Sequence, residues 1–268
     1  MRRALWQRGA PEAKPEERGV ADRTGSLESF LSLIAGAARL TAFTGAGIST
    51  ECGVPDFRSP GSPWMQLPPI DFPAFLASED NRREAWRRKF LVDGMWAGAQ
   101  PGRGHRALAR LAAQGRLHAV ITQNIDGLHQ AGGLGAHDVI ELHGNGTYAS
   151  CLSCGAHHEL APIRAAFAQD GALPACACGG LVKSATISFG QAMPREPMRR
   201  ALSACLGCDV FLAIGSSLVV HPAAQFPLIA RGNGATLVIL NRDATPLDSQ
   251  ADFVLRGDIG DALAHVAN

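Results

Sequence analysis

The stretch Leu40-Thr41-Ala42-Phe43-Thr44-Gly45-Ala46-Gly47-Ile48-Ser49 decides the fold. Its first five residues form a short run that is typical of a buried strand. Two glycines follow, and glycine allows a sharp turn and a close approach of the backbone to a pyrophosphate. The dinucleotide-binding fingerprint, however, has a third glycine where this chain has Thr50. Taken alone, the turn is equally consistent with an ordinary connection between a strand and a helix.

The same alternation of helix and strand extends along the chain on both sides of this stretch. A helix is predicted at 27–38, before the first strand. Further strands are predicted at 117–122, 139–142, 209–214 and 237–240, and further helices at 103–114, 195–206, 223–231 and 259–266. This alternation predicts an α/β fold, a Rossmann-type parallel sheet with helices on both faces.

Two segments interrupt the alternation and predict a second, smaller domain. Residues 60–99 begin with many prolines and continue into a basic helix at 84–90, whereas residues 144–189 carry four cysteines. We expect this helical insertion and a zinc-binding module to form the small domain together. The Rossmann-type domain would then comprise residues 25–59, 100–143 and 190–268.

Length and composition exclude several classes of protein. The 268 residues suggest about two domains. Lys and Arg number 25 against 24 Asp and Glu, so the net charge of +1 gives no field that would attract nucleic acid or a membrane. No run approaches the roughly 18 apolar residues of a membrane span. We expect residues 1–24 to be a disordered tail. The lack of a secretory signal favours a cytoplasmic protein, and we expect a monomer.

The cysteines give the strongest local signal. Cys151 and Cys154 form one close pair, and Cys176 and Cys178 form a second pair after a longer loop. Two such pairs are typical of a tetrahedral zinc site, and four thiolates leave no open position, so the metal would be structural. Two disulfides or four unlinked thiols are the alternatives, although a chain without an export signal favours metal.

Polar residues follow each predicted strand, and the ligands of open α/β sheets bind at the carboxyl ends of strands. Amide and acid side chains in this position can bind a carboxamide ligand. An amide side chain donates to the carbonyl of the ligand, and Asp126 accepts from its NH2 group. His143 ends the strand at 139–142, where a histidine can act as a general base. The other residues in such positions are Gln123, Asn124 and Ile125, Gly215, Ser216 and Ser217, and Asn241, Arg242 and Asp243. Singly, each segment is also consistent with an ordinary polar turn.

A loop after the glycines adds an acid, an aromatic residue and a base, namely Asp56, Phe57 and Arg58. This loop belongs to an ordered set of motifs. The others are Thr122-Gln123-Asn124-Ile125-Asp126-Gly127-Leu128-His129, His143-Gly144, the four cysteines, Phe189-Gly190 and Gly215-Ser216-Ser217-Leu218. In this order, from about residue 31 to 264, the chain resembles the sirtuins, a family of NAD-dependent protein-lysine deacylases.

The resemblance implies a cleft between two domains that NAD and an acyl-lysine peptide enter from opposite sides. Gly45, Ala46 and Gly47 would approach the phosphates. Asn124 and Asp126 would hold the nicotinamide amide, and Phe57 would shield the ribose. The adenosine half would lie against Ser216, Asn241 and the backbone of Ile259, and the acyl-lysine peptide against Ile187, Phe189, Gly190 and Trp86.

The mechanism implied by the resemblance releases nicotinamide and transfers the acyl group to ADP-ribose. His143 would act as the general base on a ribose hydroxyl, with Asn124 as a second catalytic residue. Family members that remove succinyl or malonyl groups carry a Tyr-x-x-Arg pair, which this chain cannot form, because Tyr148 is its single tyrosine and residue 151 is a cysteine. We therefore expect neutral acyl groups, acetyl first, although Arg87, Arg88 or Lys89 would be available to recruit an acid.

Some residues depart from the pattern of the sirtuin family. Cys52 stands where serine is usual, Lys183-Ser184 where Arg-Pro is frequent, Gln191 where glutamate is common and Ser216 where threonine is common.

An ADP-ribosyltransferase or NAD glycohydrolase would use the same NAD site. A hydride-transferring dehydrogenase lacks support because of Thr50. A non-catalytic zinc module would not explain His143.

Overall fold

Two β-sheets organise the computed structural model, which describes residues 24–56, 59, 61–67 and 69–266. In these residues the strands are β1 (Leu40–Thr44), β2 (Leu117–Thr122), β3 (Val139–Glu141), β4 (Gly144–Cys151), β5 (His157–Glu159), β6 (Val182–Thr186), β7 (Val210–Ile214), β8 (Thr236–Leu240) and β9 (Phe253–Leu255). The larger sheet has the order β3-β2-β1-β7-β8-β9, and all its neighbouring strands are parallel. The smaller sheet, β5-β4-β6, is antiparallel.

Helices of the described residues pack on both faces of the parallel sheet and on the smaller sheet. They are α1 (Leu27–Ala35), α2 (Pro63–Gln66), α3 (Phe72–Ala77), α4 (Glu79–Met95), α5 (Arg103–Ala113), α6 (Leu128–Ala131), α7 (Leu160–Asp170), α8 (Arg195–Gly207), α9 (Phe226–Gly232) and α10 (Ile259–Ala264). One apolar core joins Leu40 and Leu212 of the sheet to residues of α1, α5 and α10. A second core, on the other face, joins Phe43 and Phe211 to α8 and α9. The predicted fold class is thereby confirmed.

The smaller sheet packs on α4 and α7. Trp86 of α4 is only 2% exposed and shares a core with Ala149 and Val182 of the sheet and Ile163 of α7. This packing brings part of the segment at 60–99 against the cysteine-bearing segment. The division of the chain into two domains with the residue ranges given above stays a prediction.

Several predicted elements differ from the structure at their ends. The helix predicted at 84–90 spans Glu79–Met95, because the Ser78 hydroxyl accepts a hydrogen bond from Asn81 N at 3.1 Å and starts the helix earlier. The helix predicted at 223–231 begins with a 3-10 turn over Ala223–Gln225. Strand β9 and the small sheet were not predicted. The tail prediction falls on residues outside those described, apart from Thr24.

Strand register aligns the carboxyl ends of the parallel strands. Thr44 at the end of β1 lies opposite Thr122 and Ile214, and Ile214 lies opposite Leu240. The residues that follow these strand ends therefore meet along one edge of the sheet. The chain order reverses between β1 and β7, which is the position where open α/β sheets bind ligands. In the part of the chain that the structure covers, no helix combines the length and apolarity needed to cross a membrane.

Candidate active site

A cavity of about 1280 Å³ runs along this aligned edge. It is lined by the predicted cofactor, catalytic and acyl-substrate residues that the structure describes: Gly45, Ala46, Gly47, Asp56, Gln123, Asn124, Ile125, Asp126, His143, Gly215, Ser216, Ser217, Asn241, Arg242, Asp243, Ile259, Ile187, Phe189, Gly190 and Trp86. Phe57 and Arg58 fall outside the described residues. The two sheets thus contribute residues to one cleft.

The floor of the cavity is made of backbone from two loops. Gly47 N donates to Gly215 O at 2.8 Å. A Cβ atom on Gly45 would lie 2.7 Å from Gly215 O, and a Cβ on Gly47 would lie 2.7 Å from Gly215 Cα. Gly215 itself has a φ of 59°. Only glycine permits this approach, so the loop after β1 and the loop after β7 interlock through their main chains.

A polar network lies beside this floor, at the loop after β2. Asn124 Nδ2 donates to Gly45 O at 3.1 Å and to Ser49 Oγ at 3.2 Å. Ser49 Oγ donates in turn to Asp126 Oδ2 at 2.7 Å, and Leu128 N donates to Asp126 Oδ1 at 2.9 Å. The amide and the carboxylate are therefore held in fixed positions on the cavity wall. Ser49 had no assigned role in the sequence prediction.

Two histidines to which the sequence analysis gave no role lie behind this network. His105 Nδ1 accepts from Gly102 N at 3.2 Å, and its Nε2 lies 3.4 Å from Ser49 Oγ. His129 Nε2 lies 2.8 Å from Thr44 Oγ1. Burial lowers the pKa of His105, and lowers the pKa of His129 to about 3. Both rings are therefore neutral at neutral pH. His129 belongs to a motif quoted from the sequence, whereas no sequence signal marks His105.

His143 has the tautomer of a general base. Its Nδ1 lies 3.0 Å from Gln123 O, and a carbonyl oxygen can only accept, so Nδ1 carries the proton. The other ring nitrogen, Nε2, is then the acceptor. Burial lowers the pKa of His143, while the hydrogen bond to Gln123 opposes this shift. The neutral, proton-accepting ring thus predominates at neutral pH.

The opposite end of the cavity is polar. Gln123 Nε2 donates to Ser216 Oγ at 2.8 Å, which ties the loop after β2 to the loop after β7. Asn241 Nδ2 donates to Asp243 O at 2.8 Å and so closes the turn after β8. Ile259 begins α10 and lines the same end of the cavity. Ser216, Asn241 and Ile259, the residues predicted for an adenosine half, thus line one cavity, and their role there stays a prediction.

The loop after β6 forms another wall and joins both sheets. Ile187 N donates to His143 O at 2.8 Å, so this loop is attached to the segment that carries the histidine. Phe189 O accepts from Phe72 N at 2.8 Å, while the Phe189 side chain is 65% exposed. Gln191 Oε1 accepts from Ser188 N at 3.1 Å and closes the turn.

The cations of α4 are engaged by acids of the same helix. Arg87 and Arg88 both donate to Glu84, each at 2.6 Å, and Lys89 Nζ lies 2.5 Å from Asp93 Oδ1. Lys89 also donates to Gly146 O at 2.7 Å. The three cationic side chains are therefore already paired with carboxylates of the protein. A charged acyl group would have to compete with Glu84 and Asp93 for them.

Two of the unusual residues lie at or near the cavity. Lys183 is 5% exposed, its Nζ donates to Thr186 O at 2.6 Å, and desolvation lowers its pKa to about 8. Cys52 is half-buried with its Sγ 3.9 Å from His105 Nδ1, and burial raises the pKa of its thiol. Neither residue displaces a predicted site residue.

The four predicted zinc ligands come together in a separate cluster. Cys151 Sγ lies 3.5 Å from Cys178 Sγ, and Cys154 Sγ lies 3.7 Å from Cys176 Sγ. All four sulfur atoms lie within 4.8 Å of one another. Thiolates around a tetrahedral zinc ion, at about 2.3 Å from it, stand about 3.8 Å apart, so the cluster fits zinc. A disulfide needs about 2.05 Å, and all four cysteines are free.

Backbone N–H groups prepare one of these thiols for a metal. The N–H groups of Cys154 and Ser153 stabilise the thiolate and lower the pKa of Cys151 to about 6. A thiolate is the form that binds zinc. The cluster lies beside β4 and β6, and its four cysteines are not among the described residues that line the cavity with His143.

Similarity to proteins of known family agrees with this geometry. The model of the Sir2 family matches residues 45–222. A Bradyrhizobium diazoefficiens protein named NAD-dependent protein deacetylase 1 is 54% identical, over 91% of this chain and 96% of its own. A Rhodopseudomonas palustris protein named NAD-dependent protein deacetylase is also 54% identical, over 90% of this chain and 95% of its own.

Solved structures extend the likeness to three dimensions. A structure described as Sir2 with a p53 peptide and NAD+ has a TM-score of 0.79 and 34% identity, over 90% of this chain and 97% of that one. Another structure is described as Sir2 with a deacetylated p53 peptide and 3'-O-acetyl ADP ribose. It has a TM-score of 0.81 and 32% identity, over 90% of this chain and 97% of that one. With this geometry, these matches establish that the chain belongs to the Sir2 family.

Proposed function

We propose that this protein is an NAD-dependent protein-lysine deacetylase that transfers the acetyl group to ADP-ribose and releases nicotinamide. The observation that carries this proposal is the convergence of His143, Asn124 and Asp126 on one cavity with the glycine floor of the parallel sheet. A base, a carboxamide-binding pair and a phosphate-binding backbone are the groups that this reaction needs. The names and ligands of the similar proteins support the same reading.

The cavity residues divide between the parts of NAD. The backbone of Gly45, Ala46 and Gly47 approaches the pyrophosphate. Ser216 and Asn241 line the adenosine half, with Ile259 beside the adenine. Asn124 and Asp126 receive the nicotinamide carboxamide, because the network through Ser49 presents an oxygen acceptor and an amide at fixed positions.

His143 acts as the general base. Its Nδ1 proton is held by Gln123 O, so Nε2 takes the proton of the attacking ribose hydroxyl. When bound, NAD supplies the ribose hydroxyl that accepts the acyl group. Asn124 has a positioning part as well, since its two hydrogen bonds fix the loop after β2 against the loop after β1.

The acyl-lysine peptide approaches along the loop after β6, beside Ile187, Phe189 and Gly190. We propose that neutral acyl groups are preferred. The basic residues of α4 are paired with Glu84 and Asp93, and buried Trp86 gives the helix an apolar face toward the small core.

Zinc held by Cys151, Cys154, Cys176 and Cys178 would stabilise the small sheet without taking part in the reaction. A tetrahedral set of four thiolates leaves no coordination position for substrate. The division into domains with the predicted ranges, the cytoplasmic location and the monomeric state belong to the same proposal.

The test is to incubate the purified protein with NAD and an acetyl-lysine peptide, and to follow nicotinamide and O-acetyl-ADP-ribose by mass spectrometry. We expect both products to depend on the peptide and to be lost in His143→Ala. His118→Ala is the matched control, since His118 is exposed near the other end of β2 and pairs with Arg39. Nicotinamide release without peptide would instead favour an NAD glycohydrolase or ADP-ribosyltransferase.

A further inference from the structure

Arg103 joins three segments that are far apart in sequence. It is the first residue of α5. Its Nε donates to Glu51 Oε2 at 2.9 Å, in the turn that follows the glycine loop. Its Nη2 donates to Asp258 Oδ1 at 3.0 Å, and its Nη1 donates to Asp261, so the same guanidinium also holds the first turn of α10.

Close packing fixes this arrangement. Glu51 Oε1 also accepts from Gly104 N at 3.3 Å, so the carboxylate bridges two consecutive residues of α5. A Cβ on Gly260 would lie 2.5 Å from Glu51 Oε2 and 2.6 Å from Arg103 Nε. The backbone of α10 therefore rests directly on the Arg103–Glu51 pair, and α10 cannot shift without breaking it.

Two of the three segments reach the cavity, whereas Arg103 and the rest of α5 are not among its described lining residues. Glu51, Asp258 and Gly260 line the cavity together with Ile259. Arg103 thus pairs with three carboxylates, of which Glu51 and Asp258 line the end of the cavity that the proposed function gives to the adenosine half. Without this cation, the carboxylates would repel each other and the diphosphate of the ligand.

We propose that Arg103 is a positioning residue for NAD: it holds α10 and its Ile259 against the glycine loop and thereby sets the affinity for the ADP-ribose part. The proposal rests on the placement of the adenosine half given above. Its readout is binding of ADP-ribose, which needs no catalysis. Since the guanidinium serves three acceptors at once, lysine with its single nitrogen should replace it only in part.

The experiment measures the Kd of ADP-ribose and of NAD by calorimetry for the wild-type protein, Arg103→Gln and Arg103→Lys, together with peptide turnover. We expect Arg103→Gln to weaken both ligands about three- to tenfold, with Arg103→Lys between it and the wild type. The kcat and the KM for the acetyl-lysine peptide should stay within about twofold. Arg199→Gln is the matched control, because Arg199 pairs with Glu196 at 2.6 Å on the exposed side of α8.

Equal affinities in the wild type and both variants would overturn the proposal, as would a loss confined to kcat. An equal loss in Arg199→Gln would overturn it too, because any removal of surface charge would then suffice. If Arg103→Gln fails to fold, Arg103→Lys and Asp261→Asn carry the test. A wild-type protein that binds ADP-ribose but does not deacetylate would refute the proposed function and leave this measurement valid.

Discussion

Ser49 Oγ donates to Asp126 Oδ2 across 2.7 Å, although 77 positions separate the two residues in the chain. The bond spans the loop after β1 and the loop after β2, and Asn124 Nδ2 reaches the same hydroxyl at 3.2 Å. One serine hydroxyl thus orients both groups that we assign to the nicotinamide carboxamide.

Removing this hydroxyl should impair the use of NAD. A hydrogen bond to a charged group is worth about 1.5–3 kcal/mol, so Ser49→Ala is expected to lower kcat/KM for NAD roughly 10- to 100-fold. Steady-state kinetics with varied NAD give the value. Ser29→Ala, on the exposed side of α1, is the control and should be silent. An unchanged kcat/KM in Ser49→Ala would contradict the assignment.

The rate should follow the deprotonated form of His143. Because burial lowers its pKa below the ordinary value of about 6.5, kcat/KM for the peptide should be flat at neutral pH and decline only below that value. The profile is measured from about pH 5 to pH 8 on protein shown to be folded throughout. An acid limb centred above the ordinary histidine pKa would exclude this role.

Acid should destabilise the fold through His129. Its Nδ1 has no hydrogen-bond partner among the described residues, and burial lowers its pKa to about 3. Between about pH 6.5 and pH 3, His129 is therefore protonated in the unfolded chain but not in the folded chain. The free energy of unfolding falls as the pH drops through this range. The slope from this one group approaches about 1.4 kcal/mol per pH unit.

Urea unfolding at pH 7 and at pH 5 checks this expectation. His129→Gln should lose less stability between the two pH values than the wild-type protein does. His157→Gln replaces an exposed histidine and should behave like the wild type. A pH dependence that is the same in all three proteins would remove His129 from the explanation.

Loss of one thiol should release zinc and loosen the small sheet. Cys154→Ser is expected to fall from about one equivalent of zinc toward none, with a lower melting temperature, because a structural zinc site contributes folding energy. Elemental analysis and thermal unfolding report the two effects. Cys52→Ser, outside the cluster, should keep its zinc. Full zinc content in Cys154→Ser would contradict the ligand set.

Acyl preference should follow the pairing on α4. With Arg87 and Arg88 held by Glu84 and Lys89 held by Asp93, acetyl-lysine should turn over faster than succinyl-lysine. Competition among acetyl-, succinyl- and decanoyl-lysine versions of one peptide measures the order. Fastest turnover of the succinyl peptide would refute the preference for neutral groups.

The parts of the site that lie on short, continuous motifs could be predicted from sequence. Gly45, Gln123, Gly215 and Asn241 each follow an apolar strand, and parallel register alone brings them together. The cysteine cluster was predictable for a similar reason, since each pair is local. The bounds of α4 could not be predicted in this way, because the helix begins where the Ser78 hydroxyl accepts a hydrogen bond from Asn81 N.

The supporting residues could not be predicted, because their roles arise only from folding. Ser49, His105 and Arg103 contact partners from distant segments. Ser49 ends the glycine motif, but no local pattern shows that it reaches Asp126. Strand β9 was missed for a related reason. Its three residues are too few to show a period and take their place from pairing with β8.

The interlocked main chains of Gly45, Gly47 and Gly215 have a consequence for inhibitors. Peptide groups carry no titratable charge and cannot be exchanged by a point mutation, so the floor offers the same chemistry to any compound that mimics a diphosphate. Resistance by substitution at these three positions would itself abolish the close approach of the loops. A compound meant to distinguish this protein from its relatives must therefore draw its selectivity from the side walls, where Lys183 and Gln191 depart from the family pattern.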